Sequence, residues 1–264
     1  MGGPIRLLGH RGHRCAGWAE RENSLAAFDR ALASGCDGLE LDLRHTADGR
    51  VAIEHNPELN FNGHRLSVAD NTLRSLRRLQ PELATLEQVL RRYRTRAWMD
   101  LELKTMEAVA PAVELLRRYP PQRGFVVSCF EAPVLHRVAR LAPELPRCLN
   151  LKRPCSLRRI REAEVSWVAP HQASCTAWYV RWLQQRGWRV LVWTVNHPGK
   201  MRLLARAGAD AICSDLPELL VETLRDGVGR ATDAAMPASS LRNEQRDHRH
   251  PAASGTTGRV VSEP

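Results

Sequence analysis

The chain has 264 residues, which is enough for one large domain, because α/β barrels reach about 250 residues as a single domain. Its 43% hydrophobic content supports a real core, yet no apolar run approaches the roughly 18 residues that a membrane span needs. Seven cysteines without CxxC pairs argue against a disulfide framework and favour a reducing cytoplasm. The net charge of +10 would suit nucleic acid, an anionic lipid surface or a phosphorylated small molecule, and composition does not choose among them.

The first predicted strand is the apolar run Ile5 to Gly9, which ends in His10-Arg11-Gly12 at the start of a loop. A histidine and an arginine at the end of a strand can both reach a ligand. After a polar loop, Asn23 or Ser24 can cap a helix that Gly35 is well placed to end.

The next segment, residues 38–55, is the most informative in the chain. Leucines alternate with Glu40 and Asp42, so a strand here would have an apolar face and an opposite face with two carboxylates. Asp48-Gly49 is a strong turn signal, and the short apolar run after it predicts a second strand that folds back. The hairpin would return His55 to the level of the two carboxylates.

A polar insertion, residues 56–84, follows the hairpin, and we expect it to lie over the active face. A capping box at Thr85 to Gln88 then opens a helix. The strand at 98–104 again alternates leucines with charges, so Glu102 and Lys104 share one face. Thr105 is predicted to begin the helix that follows.

Strands and helices then alternate to the end of the apolar sequence. Further strands are predicted at 125–128, 147–151, 165–169, 190–194 and 209–213, with Asn196 as a helix cap. Without the returning hairpin strand this makes eight strands, each followed by a helix or a connection. Strict alternation favours a parallel sheet, and eight units predict an α/β fold of the (β/α)8 TIM-barrel type with an insertion after strand 2.

The domain boundary is expected near residue 225. Residues 1–225 would form the barrel, and residues 226–264 a disordered tail without a role in the chemistry. The tail is rich in Ala, Ser, Gly, Arg and Asp, and it cannot bury enough apolar surface to offset its ordering entropy.

Active sites of such barrels lie at the carboxyl ends of the strands. That edge would collect the carboxylates of Glu40, Asp42 and Glu102, which repel one another unless protons remain or a cation binds. An all-oxygen set suits one Mg²⁺ or Ca²⁺ better than Zn²⁺, which prefers nitrogen and sulfur ligands.

The cations and histidines at the same edge point to a phosphate as the natural ligand. Arg11 and Lys104 would offset its charge, and His10 and His55 could move protons. Lys104 is informative because the chain has only two other lysines, Lys152 and Lys200, and uses arginine elsewhere. A compact ammonium group is therefore expected to be required there.

Seven short segments in a fixed order resemble the glycerophosphodiester phosphodiesterase family, which belongs to the phospholipase-C-like phosphodiesterase barrels. They are GHRG at 9–12, EN at 22–23, GLELDLRHTADGRVAIEH at 38–55, ATLEQVL at 84–90, LELK at 101–104, VLVWTVN at 190–196 and CSDLP at 213–217. One such motif would be a weak signal, whereas seven in register are specific.

The resemblance implies a role for each matching residue. His10 and His55 would be the acid/base pair, and Glu40, Asp42 and Glu102 the metal ligands. Arg11 and Lys104 would hold the phosphate, and Trp193 would wall the alcohol pocket. One histidine would activate the nucleophile, either water or a neighbouring substrate hydroxyl, and the other would protonate the leaving alkoxide.

Three features depart from the family pattern. Asn56 follows His55 where the family usually has Asp, so an acidic contact is lost. Cys129 interrupts a Ser-Phe pair after strand four, and the loop between Gly12 and Glu22 is longer than usual. These departures bear on the substrate and the rate rather than on the histidines and carboxylates.

Three functions are compatible with the sequence. The first is metal-dependent hydrolysis of a glycerophosphodiester to glycerol phosphate and an alcohol. The second is the same chemistry on a lysophospholipid headgroup, as in lysophospholipase-D and sphingomyelinase-D relatives. The third is a non-catalytic barrel that binds phosphate or polyanions. We expect a cytoplasmic enzyme with a small-molecule partner, no nucleic acid and at most transient contact with a lipid surface.

Overall fold

Eight parallel strands close into a barrel in the computed structural model, which describes residues 4–14, 21–61 and 63–225. The strands in this part of the chain are β1 Arg6–His10, β2 Gly38–His45, β3 Val51–Ile53, β4 Glu58–Phe61, β5 His64–Ser67, β6 Trp98–Leu103, β7 Phe125–Cys129, β8 Arg147–Leu151, β9 Trp167–Pro170, β10 Arg189–Val192 and β11 Ala211–Ser214. The helices are α1 Leu25–Ala33, α2 Leu73–Leu79, α3 Leu86–Tyr93, α4 Val109–Arg118, α5 Ala132–Leu141, α6 Leu157–Glu162, α7 Ala177–Gln184, α8 Pro198–Ala207 and α9 Pro217–Leu224.

The barrel strands follow one another in the order β1-β11-β10-β9-β8-β7-β6-β2, and pairing of β1 with β2 closes the ring. The predicted (β/α)8 TIM barrel is therefore confirmed. At the closure Leu8 lies opposite Gly38, where a side chain would meet the carbonyl oxygen of Trp98. Between β2 and β6 the register sets Asp42 beside Glu102. The alternating pattern of the two strands thus brings two charged positions to one level.

The hairpin after β2 forms as predicted. Strand β3 runs antiparallel to β2, with Leu43 opposite Ile53. The insertion that follows contains the antiparallel pair β4–β5 and helix α2. It has its own small core, formed by Ala52, Leu59, Val68, Leu76 and Leu83.

Two apolar layers hold the barrel together. The leucines of β2 face outward and pack with the helices in the main core. A second cluster fills the barrel interior near the amino ends of the strands, where the Trp98 and Trp167 rings lie 5.5 Å apart between centroids. The acidic side chains of β2 and β6 also face inward, nearer the carboxyl ends. The barrel interior is thus filled by apolar side chains at the amino ends of the strands and by charged side chains at their carboxyl ends.

Two predicted helix starts are wrong. Helix α4 begins at Val109 rather than Thr105, whose hydroxyl instead hydrogen-bonds with Nδ1 of His45 at 3.1 Å. Helix α8 is capped by His197 and not by Asn196, because the Asn196 side chain is engaged by the last strand and the residue after it.

The predicted tail, residues 226–264, lies outside the described residues, so the domain boundary stays a prediction. Within the described ranges, no helix is long and apolar enough to cross a membrane.

Helix α8 offers a matched test of the outer core. Leu204 is fully buried, whereas its neighbour Leu203 is 45% exposed. We expect Leu204→Ala to lower the free energy of unfolding by about 2–5 kcal/mol, because it leaves a cavity under the helix. Leu203→Ala should change it by less than about 0.5 kcal/mol. Urea unfolding followed by circular dichroism measures both, and equal effects of the two variants would contradict this packing.

Candidate active site

One cleft of about 750 Å³ opens at the carboxyl ends of the barrel strands. This volume is ordinary for a small-molecule site. Seven of the eight predicted site residues line it, namely His10, Arg11, Glu40, His55, Glu102, Lys104 and Trp193. The eighth, Asp42, is buried behind them. The described residues of 56–84 do not line the cleft, so the predicted position of the insertion over the active face stays a prediction.

Three carboxylates meet at the base of the cleft. Glu40, Asp42 and Glu102 each offer an oxygen within 4.8 Å of the others, and all three are buried or nearly so. Burial and the charges of the other two raise the pKa of Glu40 well above its ordinary value. Burial likewise raises the pKa of Glu102, against the opposing effect of Lys104. The cluster is therefore short of positive charge.

Asp42 is the exception within the cluster. Burial raises its pKa, but Lys104 and Arg11 outweigh burial and bring the pKa below its ordinary value. The ammonium Nζ of Lys104 lies 2.9 Å from Asp42 Oδ1 and also contacts Glu102. Asn23, whose role the sequence left open, donates from Nδ2 to Asp42 Oδ2 at 2.7 Å. Asp42 is thus the carboxylate of the cluster that stays charged, and Lys104, Arg11 and Asn23 all contact it.

Arg11 connects the first strand to the carboxylates. Its backbone N–H donates to Glu40 Oε2 at 2.9 Å, and its guanidinium Nε lies 3.2 Å from Asp42 Oδ2. The guanidinium also donates to Glu22 at 2.8 Å. The backbone of Arg11 is left-handed, with φ of 54°, a conformation that non-glycine residues seldom adopt. The close contacts of this residue hold that conformation in place.

His10 has a carboxylate partner that the sequence analysis did not assign. Its Nδ1 lies 2.7 Å from Oδ1 of Asp215, and its Nε2 lies 3.7 Å from Glu40. Asp215 also accepts from Asn196 at 2.7 Å and from Arg14 at 3.0 Å. Burial raises the pKa of Asp215, but its hydrogen bond with His10 and these partners lower it to about 2. A charged Asp215 keeps the proton of His10 on Nδ1 and leaves Nε2 facing the cleft.

His55 has an uncharged partner. Its Nδ1 lies 3.2 Å from the amide oxygen of Asn56, and its backbone carbonyl accepts two hydrogen bonds from Arg44, at 3.0 and 2.7 Å. Burial lowers the pKa of His55 below its ordinary value, although the charge of Asp42 opposes the shift. The two histidines therefore differ, because one is held by a carboxylate and the other by an amide.

A fourth carboxyl group lies deeper in the barrel. Asp100 is fully enclosed, and burial, reinforced by the charges of Glu102 and Asp42, raises its pKa to about 7. The alternating pattern of β6 is enough to place Asp100 on the same face as Glu102. It does not indicate that the side chain of Asp100 is buried.

Aromatic rings form the side of the cleft away from the carboxylates. Trp193 contacts Phe130 at 5.4 Å and His171 at 4.9 Å between ring centroids, and its indole Nε1 donates to the carbonyl of Ala169 at 2.7 Å. The predicted wall residue therefore lies in the cleft, and Phe130 lies beside it. Sequence reasoning noted only the cysteine before Phe130.

The carboxylate cluster fits a divalent cation. Oε1 of Glu40 is buried and has no hydrogen-bond partner among the described residues. A buried, unpartnered oxygen beside two further carboxylates is costly unless a proton or a cation compensates it. Glu40, Asp42 and Glu102 offer only oxygen ligands, which are the ligands that Mg²⁺ and Ca²⁺ take.

Comparisons with known proteins identify the family of the chain. The profile of the Glycerophosphoryl diester phosphodiesterase family matches residues 10–219. A glycerophosphodiester phosphodiesterase of Caldanaerobacter subterraneus subsp. tengcongensis is 26% identical over 78% of this chain and 93% of its own length. A lysophospholipase D of Mus musculus is 24% identical over 82% of this chain and 81% of its own.

A solved structure gives the same result for the fold. A phosphodiesterase of Oleispira antarctica, in complex with the product sn-glycerol-3-phosphate, superposes with a TM-score of 0.74 and 25% identity. The match covers 83% of this chain and 96% of that one. The profile match runs from His10, the last residue of β1, to residue 219 in α9, so it covers the whole barrel except for the start of β1. The chain therefore belongs to the glycerophosphoryl diester phosphodiesterase family, and it is a phosphoric diester hydrolase.

Proposed function

We propose that the protein hydrolyses a glycerophosphodiester to glycerol phosphate and an alcohol, with His10 and His55 as acid/base groups and one Mg²⁺ or Ca²⁺ as cofactor. The observation that carries the proposal is that both histidines line the cleft that holds the carboxylate cluster, Arg11 and Lys104. The product bound to the Oleispira antarctica relative supports the choice of substrate class.

Arg11 and Lys104 would bind and orient the phosphate. Each of them contacts two carboxylates in the site, and each has N–H groups that can donate hydrogen bonds to phosphate oxygens. Glu40, Asp42 and Glu102 would hold the cation, and the chemistry that it supplies when bound is neutralisation of the phosphate charge.

The histidines would move the protons. The Nδ1–H of His10 donates to the carboxylate of Asp215, so its Nε2 is free to accept or deliver a proton in the cleft. His55 has a lowered pKa, so it is a neutral imidazole near pH 7. One of them would activate the nucleophile and the other would protonate the leaving alkoxide. A cyclic phosphate intermediate, detected by ³¹P NMR, would identify a substrate hydroxyl rather than water as the nucleophile.

The second candidate function is cleavage of a lysophospholipid headgroup. It is favoured by the similarity to the lysophospholipase D of Mus musculus, which covers most of both chains. Hydrolysis of lysophosphatidylcholine micelles, at a rate above that on glycerophosphocholine, would distinguish it from the first.

A cytoplasmic location is also part of the proposal. The six described cysteines are free thiols, and five of them are buried. Unpaired thiols are typical of reducing compartments. The partner is a small-molecule substrate, and a nucleic acid partner is not expected.

The first test is hydrolysis of glycerophosphocholine with Mg²⁺, Ca²⁺ or EDTA. We expect turnover with one of the cations and loss of turnover in EDTA. Glu40→Gln should lower kcat/KM by about 100-fold or more, because it removes a ligand charge from the cluster. Glu144→Gln, at an exposed ion pair with Arg117, is the matched control and should match the wild type. Full activity of the folded Glu40→Gln protein in EDTA would disprove the metal role.

The second test concerns Asp215. We expect Asp215→Asn to lower kcat by about 10- to 100-fold with little change in KM, because an amide no longer holds His10 in one tautomer. Asp70→Asn, at an exposed position, controls for the loss of a charge. Thermal unfolding should show that both variants are folded. An unchanged kcat for Asp215→Asn would mean that its contact with His10 has no part in catalysis.

The third test concerns the partner of His55. We expect its imidazole to titrate below 6.5 in the wild type, because burial disfavours the charged form. Asn56→Asp should raise that pKa, since a carboxylate stabilises the imidazolium. The NMR titration of the His55 ring proton measures the pKa, with Asn60→Asp, an exposed site, as the control. A titration midpoint in Asn56→Asp at or below that of the wild type would contradict the assigned contact.

A further inference from the structure

The cleft continues past the catalytic groups to a basic wall. This distal wall consists of Lys152 and Arg153, which follow β8, and Arg159 on α6, and all three line the cleft. In the ring of eight strands β8 is four places from β1 in either direction. The distal wall therefore lies across the mouth of the barrel from His10 and Arg11.

The cations of the distal wall are not neutralised by the protein. In the described part of the chain, Lys152, Arg153 and Arg159 are exposed and none of them forms an ion pair with a carboxylate. The adjacent Arg158 differs, since it pairs with Glu162 at 2.7 Å. Glu131 is the carboxylate on this side of the cleft. Three cations against one carboxylate leave a positive potential beyond the site of the scissile phosphate.

The aromatic rings beside the distal wall do not form a site for an alcohol with a quaternary ammonium group. Such groups are recognised by the faces of aromatic rings. The Nζ of Lys152 already lies 5.3 Å over the Phe130 ring, and Trp193 is in edge contact with Phe130 and His171. A choline group would have to displace Lys152 from Phe130 and approach two further cations.

We infer that the preferred substrates are glycerophosphodiesters whose alcohol carries a second, anionic phosphate group, which Lys152, Arg153 and Arg159 bind. The inference rests on the proposed function, because it assigns the scissile phosphate to Arg11 and Lys104. The two anionic groups of such a substrate would lie on opposite sides of the barrel mouth. The cleft volume of about 750 Å³ accommodates a ligand of this size.

The test compares two soluble substrates that differ in the charge of the alcohol. In glycerophosphoglycerol the alcohol is neutral, whereas in bis(glycerophospho)glycerol it carries a second phosphodiester. We expect kcat/KM at 50 mM salt to be about tenfold higher for the second compound, beyond the factor of two from its two equivalent ester groups. The ratio should fall as salt is raised, because the distal cations are exposed and screened.

Arginine variants inside and outside the cleft test whether the distal wall causes the preference. The double variant Arg153→Gln/Arg159→Gln should bring the substrate ratio close to two. Arg158→Gln removes one positive charge from the helix that carries Arg159, at a position that does not line the cleft, and it should keep the wild-type ratio. A wild-type ratio near two, with both compounds hydrolysed, would overturn the inference and leave the proposed function intact.

Two further measurements separate the remaining outcomes. If neither compound nor glycerophosphocholine is hydrolysed, the proposed function fails, and calorimetric dissociation constants for the same two compounds decide the inference. Tighter binding of the doubly charged compound, lost in the double variant, would support it, and equal binding would overturn it. If the double variant loses binding to phosphatidylglycerol vesicles but keeps the substrate ratio, the cations serve a lipid surface and the inference is wrong.

Discussion

Crowding of buried carboxylates at one end of the barrel is the constraint on which the site depends. Glu40 and Glu102 have raised pKa values because burial and like charges disfavour ionisation, and Asp42 stays charged because Lys104 and Arg11 lie against it. The left-handed backbone of Arg11 belongs to the same arrangement, since it aims an N–H at Glu40 while the side chain reaches Asp42. The shortage of positive charge that remains is the feature that supports the proposed cation site.

The two halves of the barrel mouth differ in what they contribute. Strands β1, β2 and β6, with the hairpin, carry the two histidines and the carboxylate cluster. The segments after β7, β8 and β10 carry aromatic rings and cations that line the opposite side of the cleft. This division follows from the fold, because each βα connection can change without altering the strand that precedes it. In the proposed function the reacting groups therefore lie on strands and the hairpin, and the groups that would select the alcohol lie on βα connections.

The sequence predicted the fold, and it predicted most of the residues that the structure brings together at the cleft, because both depend on local patterns. Alternation in β2 and β6 placed Glu40, Asp42 and Glu102 on the inner face, and the turn at Gly49 returned His55 to them. Asp215 was missed because its importance comes from a contact with a residue 205 positions away. The expected cap at Asn196 failed for the same reason, since its side chain reaches Ser214 and Asp215. Hydrophobic periodicity gives no information about side-chain contacts of this kind between different strands and loops.

The contact between His10 and Asp215 has a consequence for the order in which the protein becomes active during synthesis. Strand β1 pairs with both β2 and β11, so one edge of the first strand stays open until the last strand has left the ribosome. Until then the nascent chain can gather its carboxylates on β2 and β6, but it lacks the carboxylate partner of His10 Nδ1. In the proposed reaction His10 is oriented by a residue that directly follows the last strand of the barrel, so closure of the barrel would have to precede activity.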